Sequence, residues 1–92
     1  MALMHDFSDE LKEKLKKLLR QDKRRYEILV RKIGSIAGSD EFTIEHFKNL
    51  KGSQCDRKRV HIDKSFALTF KYDKGKKFLF FLDFDHHDNI YK

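Results

Sequence analysis

Histidines and cationic side chains lie close together in the last third of the sequence, at the spacing of β-strands. Residues 57–63 alternate between two apolar side chains, Val60 and Ile62, and three polar ones, Arg59, His61 and Asp63. In a strand, this alternation directs the apolar side chains to the core and the polar ones to the opposite face. Imidazole exchanges a proton near neutral pH and guanidinium binds oxyanions, so the polar side of this strand predicts acid–base chemistry beside an anion site.

A second polar cluster follows an apolar run and contains Asp83, Asp85 and His87. These residues are spaced two apart, which places them on one face of an extended strand, with His86 and Asp88 nearby. Carboxylate and imidazole groups suit a divalent cation, so metal-dependent chemistry is one interpretation. However, the spacing matches no specific metal motif, and solvated strand ends have a similar composition. We therefore expect no metal ion and no other cofactor.

The length and charge of the chain limit its class. Its 92 residues suit one domain over residues 1–92. Lys and Arg number 21 against 15 Asp and Glu, which gives a net charge of +6 at pH 7. Between Lys12 and Lys32, ten basic residues stand against three acidic ones. A polyanion is the natural partner for this charge, although charge-rich helices are also common as plain solvated surface.

The cysteine content and the apolar runs indicate a cellular compartment. Cys55 is the only cysteine, so the chain has no intrachain disulfide, which favours a reducing compartment. The first six residues lack the apolar stretch of a signal peptide. The longest apolar run, Phe78 to Leu82, is too short to span a membrane. We expect a cytoplasmic protein that does not bind membranes.

The first half of the chain predicts a brief strand and two helices. Residues 2–7 suit a short strand, and Ser8 can cap a helix whose leucines recur at helical spacing. Residues 21–22 form the corner to a second helix, which ends near residues 38–40. Residues 39–56 have no sustained periodicity, and we expect a partly ordered loop there.

In the second half, the apolar period changes to two. Strands are predicted at residues 57–63, 66–72 and 78–84, with a hairpin turn at residues 73–76. The last strand is apolar on both faces, which is typical of a central strand or one covered by helices. The sequence therefore predicts an α+β fold, in which an N-terminal helical hairpin packs on a small antiparallel β-sheet.

This order of elements resembles the RelE/ParE superfamily of toxins from type II toxin–antitoxin systems. The specific matches lie within residues 46–91: His61-Ile62 precedes the aromatic Phe66, and His87 is followed four residues later by Tyr91. The pattern is most similar to the branch of YafQ-like and RelE mRNA endonucleases, which act on the ribosome. The resemblance implies a RelE-like microbial ribonuclease-type fold.

The resemblance also implies an activity, partners and residue roles. The implied activity is metal-independent cleavage of mRNA on the translating ribosome, and the implied partners are a cognate antitoxin protein, the mRNA and rRNA. The residues that would serve cleavage are His61 and His87 as acid and base, Arg59 and Lys58 as phosphate stabilisers, and Asp63 and Tyr91 as supporting groups. The residues that would contact RNA are Arg57, Lys58, Lys48, Lys51, His46 and His86.

Two positions depart from the family pattern. Ala67 stands where RelE toxins have an arginine, and Ser65 stands where YafQ-like toxins have an aspartate. Two other functions therefore stay open. A ParE-like toxin that inhibits DNA gyrase would share the fold without needing the histidines, and a non-catalytic RNA- or partner-binding member would keep the fold without cleaving RNA.

Overall fold

Three helices and four strands follow one another in the computed structural model of the chain, which describes residues 3–49 and 57–86. The elements are β1 (Met4–Phe7), α1 (Asp9–Gln21), α2 (Lys23–Ala37), α3 (Glu41–Glu45), β2 (Lys58–Ile62), β3 (Phe66–Asp73) and β4 (Phe78–His86). None of the described helices has the length and apolar character needed to cross a membrane.

The four strands form one mixed sheet in the order β1-β4-β3-β2. Strands β2, β3 and β4 pair antiparallel, as the sequence predicts. The brief first strand was predicted, but it runs parallel to β4, so a wholly antiparallel sheet was wrong for this edge. Parallel pairing needs a long connection, and the chain between β1 and β4, which contains the three helices, β2 and β3, supplies it. As expected from its apolar content, β4 occupies a central position between β1 and β3.

The two long helices form the predicted hairpin. Ser8 caps α1, because its Oγ accepts the N–H of Leu11 at 3.1 Å. Asp22 forms the corner: its N–H donates to the carbonyl of Leu18 at 2.8 Å, and its Oδ1 accepts the N–H of Arg25 at 3.1 Å. One residue thus ends α1 and begins α2.

A short helix, α3, lies in the segment that the sequence predicted as loop. Asp40 caps this helix, and the hydrogen bond from the Thr43 N–H to Asp40 holds the pKa of that carboxyl below its usual value. Ile44 is fully buried, whereas Phe42 is 72% exposed. With one buried apolar residue, five residues show no helical period, which is why periodicity missed them.

The helices cover one face of the sheet and form a single core with it. The buried residues of this core are Leu11, Leu29, Ile33, Ile36, Ala37 and Ile44 from the helices, and Ile62, Leu68, Phe70, Leu79, Phe81 and Phe84 from the sheet. Aromatic pairs tie the strands together, with ring centroids of Phe66 and Phe84 5.2 Å apart and those of Phe7 and Phe81 5.5 Å apart.

A β-bulge in β4 changes which way its later residues face. The register of β3 and β4 shifts between Thr69, which pairs with Asp83, and Phe70, which pairs with Phe81, so Leu82 has no partner in β3. Phe81 and Phe84 are therefore both buried although they lie three residues apart. Because of the bulge, Phe81 and Phe84 both face the core, while Asp83 faces the opposite side of the sheet.

Ser8 fixes this bulge to the start of α1. Its N–H donates to the carbonyl of Phe81 at 2.9 Å, and its Oγ donates to the carbonyl of Leu82 at 2.5 Å. The same Oγ accepts the N–H of Leu11, so the hydroxyl both gives and receives a hydrogen bond. One side chain thereby joins the helix N-terminus to the irregular part of the central strand.

We expect Ser8→Ala to lower the free energy of unfolding by about 2 kcal/mol, the sum of a lost helix cap and a lost hydrogen bond. Urea denaturation followed by circular dichroism measures this loss. Ser39→Ala is the matched control, because the Ser39 Oγ only donates to the Ser35 carbonyl at an exposed position, and its expected change is within about 0.5 kcal/mol. Equal losses in the two variants would contradict the role given to Ser8.

Candidate functional site

Five polar residues and one alanine, from three strands, line up in two rows across the sheet. In the first row, Arg59 pairs with Thr69, and Thr69 pairs with Asp83. In the second row, His61 pairs with Ala67, and Ala67 pairs with Asp85. Paired residues direct their side chains to the same face, so all six belong to one side of the sheet. We call these six residues the polar face.

The predicted alternation in β2 is confirmed by the core. Ile62 is 1% exposed and Val60 packs against the core, so Arg59 and His61 take the other side of the strand. His61 is exposed, and Arg59 is half-buried.

The middle of the polar face is small and closed to solvent. Ala67 is 0% exposed and Thr69 is 2% exposed, and the Thr69 Oγ1 donates to the carbonyl of Asp83 at 3.4 Å. Neighbouring strands lie about 4.8 Å apart, so the backbones of β2 and β4, on either side of β3, are roughly 10 Å apart. Side chains of β2 and β4 therefore lie on either side of the strip that β3 forms.

The carboxylates of the polar face are bound by a lysine of α1. Strand β1 pairs with β4 only as far as Phe81, and beyond this point Lys14 reaches the strand. Its Nζ lies 2.6 Å from Asp83 Oδ1 and 3.4 Å from Asp85 Oδ2. Partial burial disfavours the charged ammonium, but the hydrogen bond and the negative charge of Asp83, with those of Asp85, outweigh it and raise the pKa of Lys14.

This ion pair bears on the metal interpretation of the same cluster. Asp83 and Asp85 both contact Lys14, and the third predicted ligand, His87, lies outside the described residues. Over residues 3–49 and 57–86, no group of three His, Cys, Asp or Glu side chains is arranged to hold a metal ion. In the described part of this cluster, the cation that contacts the two carboxylates is the Lys14 ammonium group.

The loop before β2 brings a second predicted cation to Arg59. Asn49 forms an antiparallel bridge with Lys58, and the N–H of Arg59 donates to the carbonyl of Lys48 at 2.9 Å. Lys48 therefore lies next to Arg59 at the outer edge of the sheet. Lys58 does not join them, because it pairs with the buried Phe70 on the opposite side of β2.

The Lys58 ammonium has a structural contact. Its Nζ donates to the carbonyl of Phe47 at 3.2 Å and to Oδ1 of Asn49 at 3.1 Å. These bonds hold the loop against the edge strand. The predicted phosphate-stabilising pair of Arg59 and Lys58 is thus divided between the two sides of β2.

Asp63 also lies apart from the polar face. The strand ends at Ile62, one residue before the predicted end, and Asp63 adopts a left-handed backbone with φ of 59°. The alternation that was expected to place Asp63 beside His61 therefore stops too early. Its Oδ2 instead lies 3.8 Å from Nη2 of Arg25, whose guanidinium stacks 4.2 Å from the centre of the Phe66 ring.

Of the remaining predicted site residues, three lie within the described part of the chain and three lie outside it. Arg57 is half-buried just before β2. His46 ends α3, where its Nδ1 lies 2.8 Å from the Phe42 carbonyl. His86 pairs with Phe66, and their rings lie 5.6 Å apart, so it belongs to the opposite side of the sheet from His61. Lys51, His87 and Tyr91 lie outside the described residues.

Sequence reasoning did not assign Thr69, Asp83 or Asp85 to the same site as His61. Strand alternation places Thr69 on the side of β3 that faces away from the core. However, a hairpin register counted from the turn pairs Thr69 with Leu82. Only the bulge shifts Asp83 into that position. A one-residue bulge leaves no periodic trace in a run as apolar as residues 78–82, so this part of the site could not be found from the pattern.

Comparison with known proteins identifies relatives of this chain. No family model matches it. Over 78 residues, which are 85% of this chain and 79% of the relative, it is 46% identical to the protein named "Putative toxin RelE4" of Methanocaldococcus jannaschii.

Two solved structures share the fold. The toxin–antitoxin complex RelBE2 of Mycobacterium tuberculosis contains a chain with a TM-score of 0.73 at 16% identity, covering 94% of this chain and 92% of that one. The DinJ-YafQ toxin–antitoxin complex of E. coli contains a chain with a TM-score of 0.65 at 15% identity, covering 100% of both chains. By its sequence relative and by its fold, the chain belongs to the RelE/ParE superfamily of toxins from toxin–antitoxin systems.

Proposed function

We propose that this toxin is a ribosome-dependent mRNA endonuclease that cleaves RNA by acid–base chemistry without a catalytic metal, and that a cognate antitoxin neutralises it. The observation that carries the proposal is the position of Arg59 and His61, two residues apart on the polar face of one strand. The M. jannaschii relative is named a toxin, and the two similar structures are crystal structures of toxin–antitoxin complexes. These facts support the toxin and antitoxin parts of the proposal.

The proposed reaction transfers two protons and breaks one bond. A base removes the proton of a 2′-hydroxyl, the 2′-oxygen attacks the adjacent phosphorus, and an acid protonates the departing 5′-oxygen. The neutral imidazole of His61 can accept the first proton, or its protonated form can donate the second. His87 is proposed for the other role, and Tyr91 for a supporting one, as the family resemblance implies.

Arg59 has the properties of the phosphate-binding group in this scheme. Its guanidinium stays charged throughout and can donate two parallel hydrogen bonds to phosphate oxygens, which gain negative charge as the 2′-oxygen attacks. Lys48 lies beside it on the same edge and extends the positive charge along an RNA backbone. Asp83 and Asp85 contact Lys14 instead, so their negative charge is partly compensated.

The helices offer a surface for rRNA. Their exposed cations are Lys12, Lys16, Lys17, Arg20, Lys23, Arg24 and Arg31. A surface of this kind binds phosphates without regard to base sequence and weakens as salt rises. We propose that it docks the toxin on the ribosome, which then positions the mRNA against the polar face.

We expect His61→Ala to slow mRNA cleavage by about 10²–10⁴-fold and Arg59→Ala to slow it by about 10²–10³-fold, the usual size of acid–base and charge-stabilising contributions. Primer extension on a reporter mRNA in a translation reaction measures the cuts, with a ribosome-free reaction beside it. His5→Ala is the matched control, because His5 is exposed on β1, at the other edge of the sheet.

Full cleavage by folded His61→Ala protein would contradict this assignment. Absence of cuts by the wild-type chain, together with toxicity and DNA damage in growing cells, would support gyrase inhibition. A chain that is harmless without any antitoxin would support a non-catalytic binding member of the fold.

Cleavage is expected to be unchanged by 1,10-phenanthroline, which removes transition metals and leaves the Mg²⁺ that ribosomes need. The expectation follows from the proposed use of imidazole for both proton transfers. The same primer-extension assay measures it. Loss of cuts that added Zn²⁺ or Mn²⁺ restores, and that Asp83→Asn abolishes, would favour the metal interpretation of the Asp83–His87 cluster.

A further inference from the structure

Arg25, in the first turn of α2, joins three separate parts of the fold. Its Nη1 lies 3.1 Å from Oδ2 of Asp22, and its Nη2 lies 3.8 Å from Oδ2 of Asp63. Its Cζ lies 4.2 Å from the centre of the Phe66 ring. These partners are the corner between the long helices, the first residue after β2 and the first residue of β3. One guanidinium group thus ties the helical hairpin to the turn at residues 63–65.

Phe66 lies in the row of the sheet next to the one that contains His61. It pairs with Ile62 in β2 and with His86 in β4, and the following pair in each strand belongs to the polar face. Its ring stacks on Phe84, with centroids 5.2 Å apart and an angle of 16° between the ring planes. The guanidinium group therefore packs on the row that adjoins this histidine, on the core side of the sheet.

The end of β2 is held by contacts of the turn that follows it. Strand β2 lies at the edge of the sheet, and among the described strands it pairs only with β3. Just beyond its end, Asp63 has a left-handed backbone with φ of 59°, and its Oδ1 accepts the N–H of Lys64 at 2.9 Å. A left-handed backbone is unfavourable for residues other than glycine and persists where surrounding contacts hold it. The second carboxylate oxygen supplies such a contact through Arg25.

Core packing alone does not explain an arginine at this position. Within the described residues, the buried Nε of Arg25 has no hydrogen-bond partner. An unpaired buried donor costs free energy, and an aliphatic side chain would cover the Phe66 ring without that cost. Arginine differs from an aliphatic residue because it pairs with carboxylates and stacks its planar group on aromatic rings. The observed position uses both properties, which favours a role in holding the turn.

We propose that Arg25 is a positioning residue of the cleavage site, which fixes the imidazole of His61 by holding the turn after β2. None of the three partners of Arg25 belongs to the polar face, so the guanidinium acts through Asp63 and Phe66. Displacement of a reacting group by about 1 Å slows a reaction by about 10²-fold, so a distant contact of this kind affects the rate. The link to cleavage rests on the proposed function, whereas the effect on the position of His61 does not.

The kinetic test measures single-turnover cleavage of mRNA on programmed ribosomes over a range of toxin concentrations. Arg25→Met keeps an unbranched side chain over the Phe66 ring and removes the contact with Asp63. It is expected to lower the saturating rate constant by about tenfold or more and to keep the half-saturating toxin concentration within about twofold, because the RNA-binding cations are intact. A higher half-saturating concentration with an unchanged rate constant would make Arg25 an RNA contact and overturn the proposal.

Two further variants separate positioning from charge and from stability. Lys74→Met also removes one positive charge and one ion pair, because the Lys74 Nζ lies 2.7 Å from Oε1 of Glu45, and it lies beyond the other end of β3. It is expected to cleave at the wild-type rate, and an equal loss in Lys74→Met and Arg25→Met would overturn the proposal. Arg25→Lys keeps the charge but cannot stack flat on Phe66, so an intermediate rate is expected. It also serves as the test variant if Arg25→Met does not fold. All rates are compared at a temperature at which circular dichroism shows each variant folded.

The position of the imidazole is also measured directly, without RNA. Correlation spectra of the full chain with ¹⁵N-labelled histidine record the ring signals of His61, which are assigned by their loss in His61→Ala. Arg25→Met is expected to shift or split these signals and to leave those of His5, on the other edge strand, unchanged. Asp63→Asn is expected to act in the same way, because asparagine tolerates the left-handed backbone but loses the ion pair.

The spectra and the kinetics separate this proposal from the proposed function. Unchanged His61 signals in both Arg25 variants would overturn the positioning role, even for a toxin that cleaves mRNA. If the wild-type chain makes no ribosome-dependent cuts, the nuclease function is rejected, and a shift of the His61 signals in Arg25→Met still supports the positioning role.

Discussion

The structure depends on the hydroxyl group of Ser8, where β1 ends and α1 begins. This hydroxyl caps α1 through the Leu11 N–H and holds the carbonyl of Leu82, the unpaired residue of the β4 bulge. The N–H of the same residue bonds to Phe81. The first strand, the first helix and the irregular point of the central strand are therefore fixed by one residue. The register that brings Asp83 opposite Thr69 follows from the bulge that Ser8 holds.

The polar face separates opposite charges by a strip of small residues. Lys48 and Arg59 give its outer edge a positive character, while Asp83 and Asp85 lie two strands away and contact Lys14. Because Lys14 partly compensates the carboxylates, the negative potential on that side is reduced, and the positive potential is greatest at β2. The buried Ala67 and Thr69 keep the space between them shallow. The face is thus asymmetric in charge, with His61 at the positive side.

The parts of the fold that depend on a local side-chain period or on a single helix cap could be predicted from the sequence. The leucine spacing, the Ser8 cap, the Asp22 corner and the inward side of β2 are local patterns, and all are confirmed. The parallel pairing of β1, the bulge and the loss of Asp63 from the polar face each depend on contacts between distant segments or on a backbone angle. For the site, the types and face of Arg59 and His61 were predictable, and strand alternation also separates Lys58 from Arg59. The partners of the Lys58 ammonium were not predictable, because only the loop at 47–49 supplies them.

The parallel pairing of β1 with β4 also constrains how the chain folds during its own synthesis. Residues 4–7 pair only with residues 78–81 among the described strands, and Ser8 binds carbonyls of residues 81 and 82. Strand β3 likewise gains one of its two neighbours from β4. The first 77 residues therefore leave the ribosomal exit tunnel without the strand that joins both ends of the sheet. Completion of the sheet then depends on contacts between distant segments, and the polar face is assembled only after β4 has been made.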